Sequence, residues 1–109
     1  LTNKGGALLR SIQLREYKIK KPKRWNGKWH VLMFDIPEGR KRTRAQLRVT
    51  LREMGFLRLT DSVWIYPYQC EELMALIKAD LKIGKDVLYL VVDKLEGDEY
   101  FRRQFGLIH

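Results

Sequence analysis

Residues Trp29-His30-Val31-Leu32-Met33-Phe34 run directly into Asp35-Ile36-Pro37-Glu38. Nearly every position from Val31 to Phe34 is apolar, as expected of a central strand covered on both faces. Proline has no N–H to give to a sheet ladder, so the strand must stop near Ile36. A buried strand that ends on a carboxylate needs a physical reason. Three compete: a metal ion, a nucleic-acid backbone, or the cap of a following helix.

The rest of the chain falls into similar blocks. Residues 38–54 carry the longest helical pattern, with Leu47, Leu51 and Met54 at i, i+4 and i+7 forming one apolar stripe. Gly55 follows as a C-cap that tolerates positive φ. Residues 56–59 and 63–66 read as two short strands joined at Thr60-Asp61-Ser62, a hairpin closed by Pro67. A second amphipathic helix is expected over 69–81, with Leu73, Leu76, Ile77 and Leu81 inward and Gly84 breaking it. Val87-Leu88-Tyr89-Leu90-Val91-Val92 is a near-continuous apolar strand ending on Asp93. A last helical segment, 98–105, stops at Gly106. Ahead of the first strand, residues 7–16 have helical character, and 18–24 form a basic linker whose like charges favour an extended chain.

The order strand, helix, strand, strand, helix, strand is the split β-α-β pattern of ferredoxin-like α+β folds. It predicts a four-stranded antiparallel sheet with two helices on one face. The other face is apolar at alternate positions, and no remaining element looks large enough to cover it. A homodimer through that open sheet face is therefore expected.

A chain of 109 residues suits one domain. No apolar run is long enough to cross a membrane, and the lone Cys70 has neither a disulfide partner nor metal-ligand spacing, which fits a reducing cytoplasm. The net charge of +9 is uneven. Residues 1–52 hold 15 basic and 3 acidic side chains, a balance of +12, whereas 53–109 hold 7 and 10, a balance of −3. Such asymmetry points to a polyanionic partner, above all double-stranded DNA.

The candidate contacts are Arg40, Lys41, Arg42, Arg44, Arg48 and Arg52 around the first helix, and Lys20, Lys21, Lys23 and Arg24 in the linker (with Lys18). Arginine binds phosphate in a bidentate fork and keeps its charge. Asp35 is the leading candidate for catalysis. Two copies brought together across a dimer would repel, and Mg²⁺ would relieve that repulsion and activate a water against a phosphodiester. Against this stands a structural role for Asp35, as a helix cap or an acceptor of backbone N–H groups. Glu38 complements the helix dipole at its start. Asp93 is expected to pair with Lys94 or the linker. Trp25, Trp29 and Trp64 are expected to pack, with Trp25 the one placed where a base could stack, and His30 to be a packed or edge histidine. No Ser/His/Asp order, Walker-type glycine loop or CxxC motif is present, so triads, nucleotide loops and zinc sites have no support.

The run Trp25-Asn26-Gly27-Lys28-Trp29-His30-Val31-Leu32-Met33-Phe34-Asp35-Ile36-Pro37-Glu38 resembles the opening of one known domain. Leu47-Arg48-Val49-Thr50-Leu51-Arg52-Glu53-Met54-Gly55-Phe56 and Ser62-Val63-Trp64-Ile65-Tyr66-Pro67 agree with it in order and spacing. It is the Cas-two-like domain of phenylacetate-repressor-type (PaaX-type) transcriptional regulators, related to the CRISPR-associated endonuclease Cas-two. The resemblance covers about residues 25–95. It implies a ferredoxin-like dimer engaging duplex nucleic acid. In the CRISPR family the acid ending the first strand is assigned to Mg²⁺, and Asp35 matches it. That subunit also bridges integrase subunits, and a C-terminal segment helps to join its copies, a role open here to Phe101, Phe105 and Leu107. Two departures matter. The chain carries 27 residues before Lys28, and Leu1-Thr2-Asn3-Lys4-Gly5 resembles the last wing strand of a winged helix. Residues 1–24 are thus expected to be the remnant of a preceding winged-helix region plus linker, and 25–109 the domain itself.

Two functions follow from different classes. The first is a nucleic-acid-associated dimerisation module of a transcriptional regulator. The alternative is a Mg²⁺-dependent endoribonuclease or endodeoxyribonuclease, or a structural subunit of a CRISPR spacer-integration complex with an integrase partner.

Overall fold

A computed structural model describes residues 21–107. The expected helix over 7–16, the wing strand at 1–5 and the linker up to Lys20 lie outside them. The opening apolar run forms β1, Trp29–Phe34. A 3-10 turn, Glu38–Arg40, leads into α1, Lys41–Glu53. Then come β2, Leu57–Thr60, and β3, Val63–Tyr66. The second half holds α2, Glu71–Leu81, a 3-10 turn at Gly84–Asp86, β4, Val87–Val92, and a short α3, Glu99–Gln104. The strands form one antiparallel sheet in the order β2-β3-β1-β4, which makes β1 central.

Strand register decides what each face presents, because side chains alternate. Leu32 opposes Trp64 and Tyr89, and Phe34 opposes Val87, so these point to one face with Tyr66. On that face Leu47 and Leu51 of α1 and Leu73, Met74, Ile77 and Leu81 of α2 complete the main core. The 3.6-residue spacing of those leucines is what directs both helices there.

The opposite face carries Trp29, Val31, Met33, Val63, Ile65, Leu88, Leu90 and Val92. Here the structure corrects the sequence reading. Part of this face is covered from within the chain: Phe101, Phe105 and Leu107, with Leu95 and Trp25, pack against Trp29, Val31 and Ile65. The Phe105 ring lies 5.8 Å from both Trp29 and Tyr66. Asp98 locks the arrangement by accepting from Trp29 Nε1 at 2.9 Å and from Arg102 Nε at 3.0 Å. The covering segment is short but aromatic, and few large rings close as much surface as a longer helix. At the other end Met33 and Leu88 remain 42% and 58% exposed.

Two helix ends show how local chemistry sets the boundaries. Gly55, at φ +94°, turns the chain after α1, where an added Cβ would sit 3.5 Å from the Tyr66 ring. α2 ends at Lys82 rather than Gly84. Lys82 takes φ +55°, and the Ile83 N–H bonds back to the Lys78 carbonyl at 3.1 Å. Ile83 is fully buried, and pulling it into the core requires the reversal one residue earlier. A non-glycine residue in that region costs about 1 kcal/mol, which burial of isoleucine offsets.

Candidate nucleic-acid interface

The basic stripe begins with helix geometry. Arg44, Arg48 and Arg52 are spaced four apart in α1, so they share one flank beside the buried Leu47 and Leu51. Arg48 Nε donates to the Asp61 carbonyl at 3.1 Å. The Arg52 guanidinium stands 5.6 Å over the Trp64 ring. Glu38 lies 3.9 Å from Arg44 and 3.8 Å from Lys41. These contacts orient the side chains without removing their charge; the exposed ion pairs are worth little in water.

The other predicted basic residues divide. Arg40 is held at the C-terminus of α2, donating to the Leu81 carbonyl at 2.8 Å and the Lys82 carbonyl at 3.0 Å, with Asp86 at 3.9 Å. It satisfies carbonyls that a helix end leaves open. Arg42 is exposed on the far side of α1 from Arg44 and Arg48. Lys21, Lys23 and Arg24 are exposed, and Lys20 lies outside the described residues. Lys21 and Arg24 line a groove of roughly 1050 Å³ with His30, Tyr68, Glu71, Glu72 and Val91. The linker cations therefore neighbour β4 and the start of α2, while Arg48 and Arg52 touch the β2–β3 side. The structure does not join the two segments into one stripe. Trp25 packs at 4.9 Å from Trp29 and donates to the Lys28 carbonyl at 2.8 Å.

Asp35 sits where β1 leaves the sheet. Its N–H donates to the Asp86 carbonyl at 2.8 Å, and its carboxylate is exposed, with no hydrogen bond or ion pair among the described residues. It does not cap the helix: the residues at the cap positions, Pro37 and Arg40, make no side-chain cap bond. No group of three or more His, Cys, Asp or Glu is placed to hold a metal among the described residues. The nearby acids Glu38 and Asp86 face cations instead. Asp93 pairs at 3.9 Å with Lys28, both exposed.

One polar cluster was not legible in the sequence. His30, 6% exposed, stacks on Tyr89, and its Nδ1 shares a hydrogen bond with the Tyr89 hydroxyl. The Tyr89 oxygen in turn accepts from the Cys70 N–H at 3.5 Å. Burial lowers the His30 pKa, opposed by Glu71 and aided by Lys28. Burial also pushes the Cys70 thiol up to about 12, so it is an inert thiol rather than a nucleophile. These residues lie far apart in the chain, and only their meeting across β1, β4 and the start of α2 makes the cluster.

A family model described as the PaaX protein central Cas2-like domain matches residues 22–102. The chain belongs to that family. The match covers β1 through the first turn of α3, and so includes Asp35 and the α1 stripe. No curated protein and no solved structure matched.

Proposed function

We propose that this PaaX-type domain is a nucleic-acid-associated dimerisation module of a transcriptional regulator, with a ferredoxin-like fold. The stripe of Lys41, Arg44, Arg48 and Arg52 on one flank of α1 carries the reading. Four cations along a rigid helix suit the phosphates of a DNA duplex and read charge rather than base sequence. The half of the second sheet face that α3 leaves bare, around Met33 and Leu88, is the pairing surface for a homodimer. Family membership supports the regulator setting.

The test is duplex binding measured by fluorescence anisotropy over a range of salt. Affinity should fall steeply as salt rises. Arg44→Ala with Arg48→Ala should flatten the log–log salt slope by about 2 and weaken unrelated sequences alike. An unchanged slope overturns the assignment.

One observation favours the nuclease alternative: the Asp35 carboxylate is exposed and unpaired at the end of the central strand. The described residues of a single chain do not fit a magnesium ion, since among them Asp35 is the only uncommitted acid at this place. The ion would need Asp35 from two copies, so no step is routed through it. In the same binding mixtures, Mg²⁺-dependent cleavage that disappears in Asp35→Asn, with binding kept, would favour this second reading.

A further inference from the structure

The sheet has two edges, and they are built differently. β2 is four residues long, its register breaks between Arg58 and Thr60, and Arg58 holds an ion pair with Asp61 at 2.8 Å. Shortness, a break in the ladder and charge are the usual means by which a strand edge avoids other chains. β4 has none of them. It is six residues long and pairs with β1 in unbroken register along its whole length. It carries no charge, proline or glycine. Its outer side makes no backbone hydrogen bond to any described residue. Apolar side chains are exposed on both sides of the sheet here, Leu88 at 58% on the second face and Val91 at 49% on the helix face.

We infer that the outer edge of β4 is a pairing surface for β4 of a second copy, antiparallel, extending the sheet across the junction. This goes beyond the face-to-face contact proposed above and does not depend on it. Among the described residues nothing pairs with this edge, and such an edge offers a row of N–H and C=O groups that an extended strand can satisfy together. A second β4 fits because the strand is complementary to itself. In an antiparallel pair about a two-fold axis normal to the sheet, opposing side chains share a face. Centred on Leu90, Leu88 meets Val92 of the second copy and Tyr89 meets Val91, so every pair over positions 88–92 is apolar; Val87 falls opposite Asp93, and no pair brings like charges together. Such a symmetric contact closes on itself rather than growing into a filament. Five strand residues a side make a small interface by the standard of stable dimers, so pairing is weak and concentration-dependent.

The test separates edge from face. Met33→Asp puts a charge on the bare half of the second face and leaves β4 untouched. Val91→Lys guards the edge from the helix side, at an exposed position that tolerates the longer chain. Sedimentation over a wide concentration range should show Met33→Asp still reaching twice the chain mass. The double variant should stay at the mass of one chain, with Val91→Thr in place of Val91→Lys restoring pairing. In the native-sequence protein, amide exchange in β4 should slow as concentration rises. A Met33→Asp chain that is single throughout, a Met33→Asp/Val91→Lys chain that still pairs, or β4 exchange that ignores concentration overturns the proposal. Met33→Asp matching the native-sequence protein would mean that the face does not pair, which leaves the edge standing.

Discussion

The two faces of the sheet are made from the same four strands but closed by different means. On the helix side, α1 and α2 bring periodic aliphatic stripes onto Leu32, Trp64 and Tyr66, and the layer is closed except at Val91 on the outer strand. On the other side a six-residue helix and one linker tryptophan close half of the surface through rings and a single carboxylate, leaving Met33 and Leu88 in water. The first face holds the domain together, and the second is adjustable. Covering by few side chains concentrates the energy in few contacts, and so makes that cover easier to displace than a packed helix pair.

The largest effect should come from the helix-covered face. Leu51 is fully buried between α1 and the sheet, so Leu51→Ala should cost about 2–5 kcal/mol in denaturant unfolding. A loss below 1 kcal/mol would mean that the helix layer is less tightly packed than the aliphatic stripes imply. On the second face Asp98→Asn keeps the shape but removes the charge that Trp29 and Arg102 share. It should cost about 1 kcal/mol and increase binding of an apolar dye at the Trp29 end. No gain in dye binding would mean that the aromatic contacts hold α3 without the carboxylate.

The smallest effect is a pH dependence at the seam between the two. His30 titrates below its ordinary value of 6.5 in the folded chain because it is buried. The unfolded chain then takes up a proton first as pH falls. The stability from neutral His30 is complete above that ordinary value and declines as pH drops from there toward the folded pKa. Thermal melts stepped downward from neutral pH should show this decline, and His30→Gln should flatten it; an unchanged profile would show that the imidazole is not the titrating group.

Much of the architecture was legible because it is local. Pro37 stopped β1, Gly55 ended α1, and Gly106 followed α3. The leucines of α1 and α2 announced their buried sides by spacing. What was misjudged depends on contacts distant in sequence. The length of 98–105 says nothing of how well Phe101 and Phe105 fit over Trp29 and Ile65, so the covered part of that face is invisible in the sequence. Lys82 took the turn expected near Gly84 because burial of Ile83 outweighed backbone preference. At the candidate interface, the i, i+4 spacing of Arg44, Arg48 and Arg52 gave their common flank. That Arg40 instead completes the end of α2 could not be seen, since its acceptors lie 41 and 42 positions away.

The Trp25–Trp29 contact has an optical consequence. Two indoles 4.9 Å apart and inclined at 58° are close enough for their electronic transitions to mix, which splits their circular dichroism into a paired positive and negative signal. One indole belongs to the segment entering the domain, and the other donates a hydrogen bond to Asp98, the residue just before α3. The domain thus contains its own unlabelled gauge, whose spectrum registers any shift between its incoming and outgoing segments.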